Sequence, residues 1–513
     1  MLLRRSLLAA AVGVMVPFIT CQGQNPATFT TVTSASGTIP ETLYAMDVNN
    51  DGSPDLIQTT QQAPIEFTVS LSKGNGSFDA PVPYAFPSGL ASSPQLAFGD
   101  FTGNGKVDIV AAFKNEIAMY LGNGNGTFAA AKIQSNVLPS GYSFQNVAPV
   151  AADFNHDGKI DLVAIAYNTS GINSAVVLEG DGNGTFTYKG DVYNVPSGDS
   201  VSELAGGDFD ADNNADVAIG TNASCDNGAA SCYGTVHALY GNGDFGFTET
   251  TPYSSNSDAG GLSIYSGDLN GDGRTDLFGY LGTGQLVLLY GQSNRTFTSY
   301  FYSDVPSGGV TSLSMADFNG DGHMDLVGFD FTDEPGTGPT FQLAIFLSTG
   351  AEGGFKTQLY TLPYLQTETN VVVGDFNKDT KPDIAIVQNP APSGTGSSSV
   401  AAVINTTSSG NWGGCAYPKT GQGISLCTPA PSSSDASPVT FKASANSYGD
   451  IRKFELWVDG KKISEQHNNW GNYGYFDLSS AFAAGTHSAT LNVTTIDNDA
   501  MDYNFKFTVP AAQ

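Results

Sequence analysis

A chain of 513 residues is too long for one core and points to two or three domains, and its 40% hydrophobic content argues against general disorder. The formal charge of −29, from 20 basic and 49 acidic residues, repels phosphate backbones and argues against a nucleic-acid partner. Abundant glycine (61 residues) with Thr/Ser/Asn-rich stretches between short apolar runs favours an all-β chain.

The chain opens with "MLLRRSLLAAAVGVMVPFITCQGQ". Arg4 and Arg5 precede an apolar run, Leu7 to Thr20, that is too short and too interrupted by proline to span a bilayer comfortably. Residues 1–23 therefore read as an export signal cleaved after Gly23, and the mature chain is expected to be secreted. Lipidation of Cys21 is the alternative, against a poor lipobox at Phe18-Ile19-Thr20. No later segment is long and apolar enough to be transmembrane.

Seven nine-residue loops follow, each with oxygen-bearing side chains at positions 1, 3, 5 and 9. They are Asp47, Asn49, Asp51 and Asp55; Asp100, Thr102, Asn104 and Asp108; Asp153, Asn155, Asp157 and Asp161; and Asp208, Asp210, Asp212 and Asp216. Then come Asp268, Asn270, Asp272 and Asp276; Asp317, Asn319, Asp321 and Asp325; and Asp375, Asn377, Asp379 and Asp383. The first aspartates are 53, 53, 55, 60, 49 and 58 positions apart, and isolated turns would not keep step in this way. Hard oxygens at this spacing, with a turn-forming residue at position 6, suit Ca²⁺, which takes about 6–8 of them. The expected cofactor is up to seven structural Ca²⁺. Position 6 is glycine except in the fourth loop (Asn213) and the seventh (Thr380). Asparagine tolerates a left-handed backbone, whereas a β-branched residue is costly there. Only two carboxylates remain in the Asp100 loop, which predicts weaker binding. Phe, Leu or Val at position 2 reads as core packing beneath the loop.

Each loop lies between two apolar runs. A further strand follows, then a glycine/asparagine turn ending in phenylalanine, as at Gly74–Phe78, Gly124–Phe128 and Gly182–Phe186, and then a fourth run. Four short strands per unit of about 55 residues make a β-propeller blade the natural unit, and a ring of seven leaves no end uncovered. The seventh unit lacks its own fourth strand. Thr28–Thr33 matches the missing pattern, so it is expected to pair with Val400–Asn405 and close the ring. The resulting expectation is an all-β chain, a seven-bladed β-propeller followed by an immunoglobulin-like β-sandwich.

The seven loops and the G-N-G-[ST]-F turns resemble the integrin α-subunit N-terminal domain and the wider FG-GAP (VCBS) repeat family, over roughly residues 24–410. In that family the loop joins the first two strands of a blade and holds a structural Ca²⁺, so the resemblance implies a scaffolding metal. The family includes adhesion receptors, lectins and lyase-associated modules, so the resemblance leaves the function open.

From about residue 411 the pattern stops. A Gly/Pro/Ser-rich linker (411–433) leads to alternating strands over 434–513, with a tight Asp-Gly hairpin at Val458–Lys462 and Trp457 expected in the core of a bacterial immunoglobulin-like module. Cys225 with Cys232, and Cys415 with Cys427, read as two local disulfides in an exported chain, because neither pair has the ligands for a zinc site.

No nucleophile, zinc or triad motif appears, and the loop histidines, His156 and His323, stand at positions 4 and 7, pointing away from the ion. No catalytic residue is assigned, and whether the chain is an enzyme stays open. The leading reading is a binding or adhesion protein for carbohydrate or a cell-surface protein, using the face opposite the metal loops; the alternative is a polysaccharide-acting lyase or hydrolase. On that face the longest loops are expected at Thr221–Gly234, Phe329–Phe341 and Gln388–Ser399, with aromatic connectors at Tyr84–Gly89, Tyr193–Gly198 and Tyr302–Gly308. Tyr233, Phe331, Asp333 and Glu334 are the expected ligand-binding set.

Overall fold

The computed structural model describes residues 26–510, except 36–39, 61–63, 91, 223–233, 256–261, 282–283, 307–308, 322, 335–337, 362–369, 389–398, 408–422, 430, 435–436, 447–450, 468–472 and 496–499. Among these residues every regular element is a strand, and no helix is long and apolar enough to cross a membrane.

From Phe29 to Asn405 the strands form seven antiparallel sheets that follow one another along the chain. The first is Pro40–Met46, Asp55–Thr60, Glu66–Ser70 and Val82–Ala85, each strand paired with the next. The same order recurs in every later sheet, and the third has its first strand split into Ser143–Phe144 and Val150–Ala152. Second and third strands read as unbroken apolar runs such as "DIVAAF" and "DLVAIAY". They are buried because each sheet is covered on both faces. Fourth strands alternate, and they leave Val82, Ile133, Phe301 and Leu359 exposed at the rim.

The sheets adhere in consecutive pairs. Phe67 of the first packs in one cluster with Ile109 and Tyr120 of the second. Val110 and Met119 of the second pack with Leu162 and Val176 of the third, and the series continues around to the seventh. The last cluster joins the ends: Leu43, Leu56 and Phe78 of the first sheet pack with Phe376, Ala385 and Ile404 of the seventh. First strands of six of the seven sheets line a cavity of about 530 Å³, with Tyr44, Phe98, Leu204, Tyr265, Met315 and Val372 on its wall.

The seventh sheet takes its outer strand from the other end of the chain. Phe29–Ala35 pairs antiparallel with Ser399–Asn405, with Thr30 opposite Ile404 and Thr33 opposite Ala401. Ala27 and Gln358 extend the contact to the sixth sheet, where Ala27 N–H donates to Gln358 Oε1 at 3.1 Å. The pairing expected of Thr28–Thr33 is therefore present, and it removes an exposed edge from the sheet.

A second body follows. Gly423–Thr428, Val439–Asn446 and Tyr473–Ser480 form one sheet; Lys461–His467, Ile451–Val458, Gly485–Thr495 and Ala500–Val509 form another. The two share one core built on Phe441, Phe454, Phe476 and Phe507. Gly423–Thr428 lies within the stretch read as linker, yet it pairs with Val439–Asn446, so the sheet begins earlier than residue 434. The Asp459-Gly460 hairpin is present, with φ of 50° and 75°, which suits an Asp-Gly pair.

Trp457 departs from expectation. It is 36% exposed, and its indole N–H donates to Glu455 Oε2 at 3.2 Å. Side chains alternate along a strand, so the inward Phe454, Leu456 and Val458 place Trp457 on the outer face.

Candidate metal centres

Each of the seven loops joins the first strand of its sheet to the second, and one hydrogen-bond set builds all of them. The position 1 carboxylate accepts the position 5 N–H through Oδ1, from 3.2 Å at Asp51→Asp47 to 3.0 Å at Asn104→Asp100. Its Oδ2 accepts the position 6 N–H in the six loops where that residue is described, from 2.6 Å at Gly105→Asp100 to 2.9 Å at Gly158→Asp153. That second bond needs a left-handed residue, and the backbone supplies it even without glycine: φ is 72° at Asn213 and 73° at Thr380.

Position 9 is the hub. Asp55, Asp108, Asp161, Asp276, Asp325 and Asp383 are 0% exposed, and Asp216 is 1% exposed. Oδ1 of each accepts an N–H from the end of the third strand: Ser72, Gly122, Gly180, Gly241, Gly291, Ser348 and Asn405, at 2.7–2.8 Å. In six loops Oδ2 accepts the position 2 N–H, for example Phe154→Asp161 at 3.0 Å and Phe209→Asp216 at 2.8 Å. One buried carboxylate thus ties the loop to the turn between third and fourth strands. Loops and turns lie at the same end of every sheet. Position 2 is buried throughout, from Val48 to Phe376, as its apolar character required.

This arrangement buries carboxyl groups where their ionised form is disfavoured. Burial drives the Asp325 and Asp383 carboxyls up to about 8, with the two nearby loop carboxylates adding to the rise in each case. Burial likewise lifts Asp161 to about 7, Asp268 and Asp375 to about 6, and Asp55, Asp216 and Asp276 well above the ordinary range. A cation among these oxygens would offset the cost. The donor set, carboxylates with an asparagine oxygen at position 3, fits a hard divalent ion such as Ca²⁺ in the first, third, fifth, sixth and seventh loops.

Two loops differ. In the second, Thr102 Oγ1 donates to Asp108 Oδ2 at 3.1 Å and Asn104 Nδ2 donates to Thr102 Oγ1 at 2.7 Å, so the loop satisfies its own polar groups. In the fourth, Asp208, Asp210 and Asp216 bring one carboxylate oxygen each within 4.8 Å of one another. Arg295 lies against this loop, with Nε 2.8 Å from Asp210 Oδ2 and a terminal nitrogen 2.9 Å from Asp212 Oδ2.

Tyr233 lies outside the described residues, as do Cys225, Cys232 and Cys415; Cys427 falls on the strand Gly423–Thr428. Phe331, Asp333 and Glu334 sit on a strand that pairs Phe331 with Phe341 and Glu334 with Gly338. Most of the loop expected over Phe329–Phe341 is therefore paired strand, with Asp330 opposite Gln342 and Thr332 opposite Thr340. The connector tyrosines fill gaps between sheets. Tyr84 packs edge-on to Phe128 of the second sheet (centroids 5.6 Å apart), Tyr302 packs edge-on to Phe346, and Tyr193 bonds His237 Nδ1 at 2.9 Å. Sequence reading missed a partly exposed group beside the third sheet, where Tyr142 and Tyr188 both donate to Asp191, at 3.0 and 2.6 Å. Asp191 lies 49 positions after Tyr142, a separation that left no spacing signal.

The FG-GAP-like repeat matches residues 47–111, 100–164, 153–219 and 226–279. Among solved structures, the chain is similar to an Agrocybe aegerita lectin that recognises non-reducing terminal N-acetylglucosamine (17% identity, 65% of this chain and 81% of that chain, TM-score 0.44). It is also similar to a Penicillium chrysogenum α-L-arabinanase complexed with arabinobiose (13%, 66% and 98%, TM-score 0.39). A third is the Aleuria aurantia lectin, a six-bladed β-propeller (14%, 62% and 97%, TM-score 0.32). No curated protein matches. The recurring four-stranded sheets make the fold a β-propeller, and four stretches of it match the FG-GAP-like repeat.

Proposed function

We propose that this chain is an exported, calcium-stabilised binding protein: a closed propeller of seven blades with an immunoglobulin-like sandwich at its C-terminus. It takes carbohydrate or a surface protein on the face opposite the metal loops. The observation that carries this reading is the sevenfold loop, in which a buried carboxylate at position 9 and a buried or half-buried one at position 1 are held by one repeated set of backbone N–H groups. A repeated ion on a repeated scaffold acts on folding, not on chemistry. With the loops committed to stability, recognition falls to the opposite end, where loop lengths are unequal. Partly exposed phenol rings beside a carboxylate, as at Tyr142, Tyr188 and Asp191, offer a stacking face and hydrogen-bond acceptors suited to sugars.

A glycan array probed with the mature chain in Ca²⁺, alongside a reducing-sugar and unsaturated-product assay on any glycan that binds, tests this reading. Retention of a glycan without turnover supports it. Turnover would replace it with the lyase or hydrolase alternative, and no binding to glycans would leave a protein ligand as its only form.

A further inference from the structure

In the first three sheets the residue two places before the turn's phenylalanine is glycine: Gly76, Gly126 and Gly184, with φ near 80°. Its N–H donates to the position 2 carbonyl of the preceding sheet's loop, as in Gly126→Val48 at 3.1 Å and Gly184→Phe101 at 3.2 Å. In the fifth sheet this place belongs to Arg295, which holds the same left-handed backbone at φ 63°. A long side chain here lies directly over the fourth sheet's loop.

That loop is also the most acidic, with aspartate at positions 1, 3, 5 and 9. All eight carboxylate oxygens already have donors. Asp208 accepts the N–H groups of Asp212 and Asn213, and Asp216 those of Gly241 and Phe209. Oδ1 of Asp210 and of Asp212 accept Asp212 N–H and Asn214 N–H; the two remaining Oδ2 atoms accept the Arg295 guanidinium. The guanidinium also lies 5.6 Å from the Tyr240 ring centroid, and the Asp210 side chain is only 4% exposed. Basic side chains elsewhere (Lys378 on Asp51, Lys159 on Asp157, Arg274 on Asp272, Lys381 on Asp379) reach position 5 alone and leave position 3 to an asparagine. Arg295 spans positions 3 and 5 together.

We infer that Arg295 is a built-in cation that takes the place of the metal at the fourth loop and clamps the fourth and fifth sheets together without Ca²⁺. A divalent ion at that loop would have to share Asp210 and Asp212 with the guanidinium that holds one oxygen of each, beside a fixed positive charge. The inference rests on the calcium reading of the other loops, and its test separates the two.

The test is Ca²⁺ stoichiometry by titration calorimetry on the mature chain, for wild type, Arg295→Gly and Asp210→Asn/Asp212→Asn. Glycine is the residue found at this place in four other sheets (Gly76, Gly126, Gly184 and Gly353), so the variant keeps the turn. The expected result is one more Ca²⁺ bound by Arg295→Gly than by wild type, with the double variant unchanged from wild type. In chelator Arg295→Gly should melt below wild type, and Ca²⁺ should close the gap. Equal stoichiometry in wild type and Arg295→Gly, or loss of one site in the double variant, would overturn the clamp. If wild type binds no Ca²⁺, the calcium reading falls instead, and the melting comparison in chelator alone decides for or against the clamp.

Discussion

The backbone N–H of Gly76 donates to the carbonyl of Phe376 at 2.8 Å, joining the turn of the first sheet to the aspartate loop of the last. Ser53 Oγ adds a bond to the Asp375 carbonyl at 3.1 Å, and Lys378 Nζ reaches the Asp51 carbonyl at 3.0 Å. With Phe29–Ala35 on the outer edge, this junction is sewn at its loop end and along its length.

Deleting residues 24–36 should therefore destabilise every sheet together, seen as a single cooperative transition at lower temperature. Gly76→Ala is the gentler probe. A Cβ there would lie 2.6 Å from Ile404 Cδ1, on a backbone at φ 80° that disfavours alanine. A loss of about 1–3 kcal/mol is expected. Native melting in both variants would mean that the ring does not close through this junction.

Position 9 and position 5 should separate framework from ligand. Asp161→Asn converts one of two filled acceptors into a donor facing a buried N–H, which should cost about 1–3 kcal/mol with or without Ca²⁺. Asp321→Ala, in the exposed part of the sixth loop, should lower stability only when Ca²⁺ is present. Chemical denaturation of both variants in Ca²⁺ and in chelator gives the comparison; equal behaviour of the two would erase the distinction.

These junctions show what the sequence made legible. Aspartate, asparagine and glycine at fixed spacing announced the loops, because each turn must satisfy its own backbone locally. The missing fourth strand of the seventh unit announced the role of Thr28–Thr33, because an unpaired edge is costly. Arg295 could not be read in this way, since its partners Asp210 and Asp212 lie 85 and 83 residues away on another sheet. Trp457 was misplaced because its size suggested a core residue, while strand parity, fixed by Phe454 and Leu456, decided its face. The hub role of position 9 was also hidden. Its second partner, such as Gly180 for Asp161, belongs to a turn that sequence treats as a separate motif.

Stability without metal should depend on pH in an unusual direction. Burial raises Asp325 and Asp383 to about 8 and Asp161 to about 7, above their unfolded values of about 4. The folded state then holds more protons than the unfolded state between those limits, so stability falls as pH rises from about 4 to 8. In chelator the chain should melt at a higher temperature at pH 5.5 than at pH 8.5. Ca²⁺ should reverse that order, because it binds the ionised carboxylates. A higher melting temperature at pH 8.5 in chelator would contradict the carboxylate burial described for these loops.

The most direct measurement is the melting temperature of the mature chain by calorimetry, in 2 mM Ca²⁺ and in excess chelator at pH 8. Extracellular calcium modules often bind with Kd of about 0.2–1 mM, worth about 0.7–1.4 kcal/mol per site at ~2 mM. About five fitting loops would then add roughly 4–7 kcal/mol. For a propeller of ~380 residues this is a shift of about 5–9 °C, from an unfolding entropy of ~2 cal/mol/K per residue. The account predicts that Ca²⁺ raises the melting temperature by that amount and that Mg²⁺, which demands a tighter octahedral site, does so less. An unchanged melting temperature in chelator would contradict it.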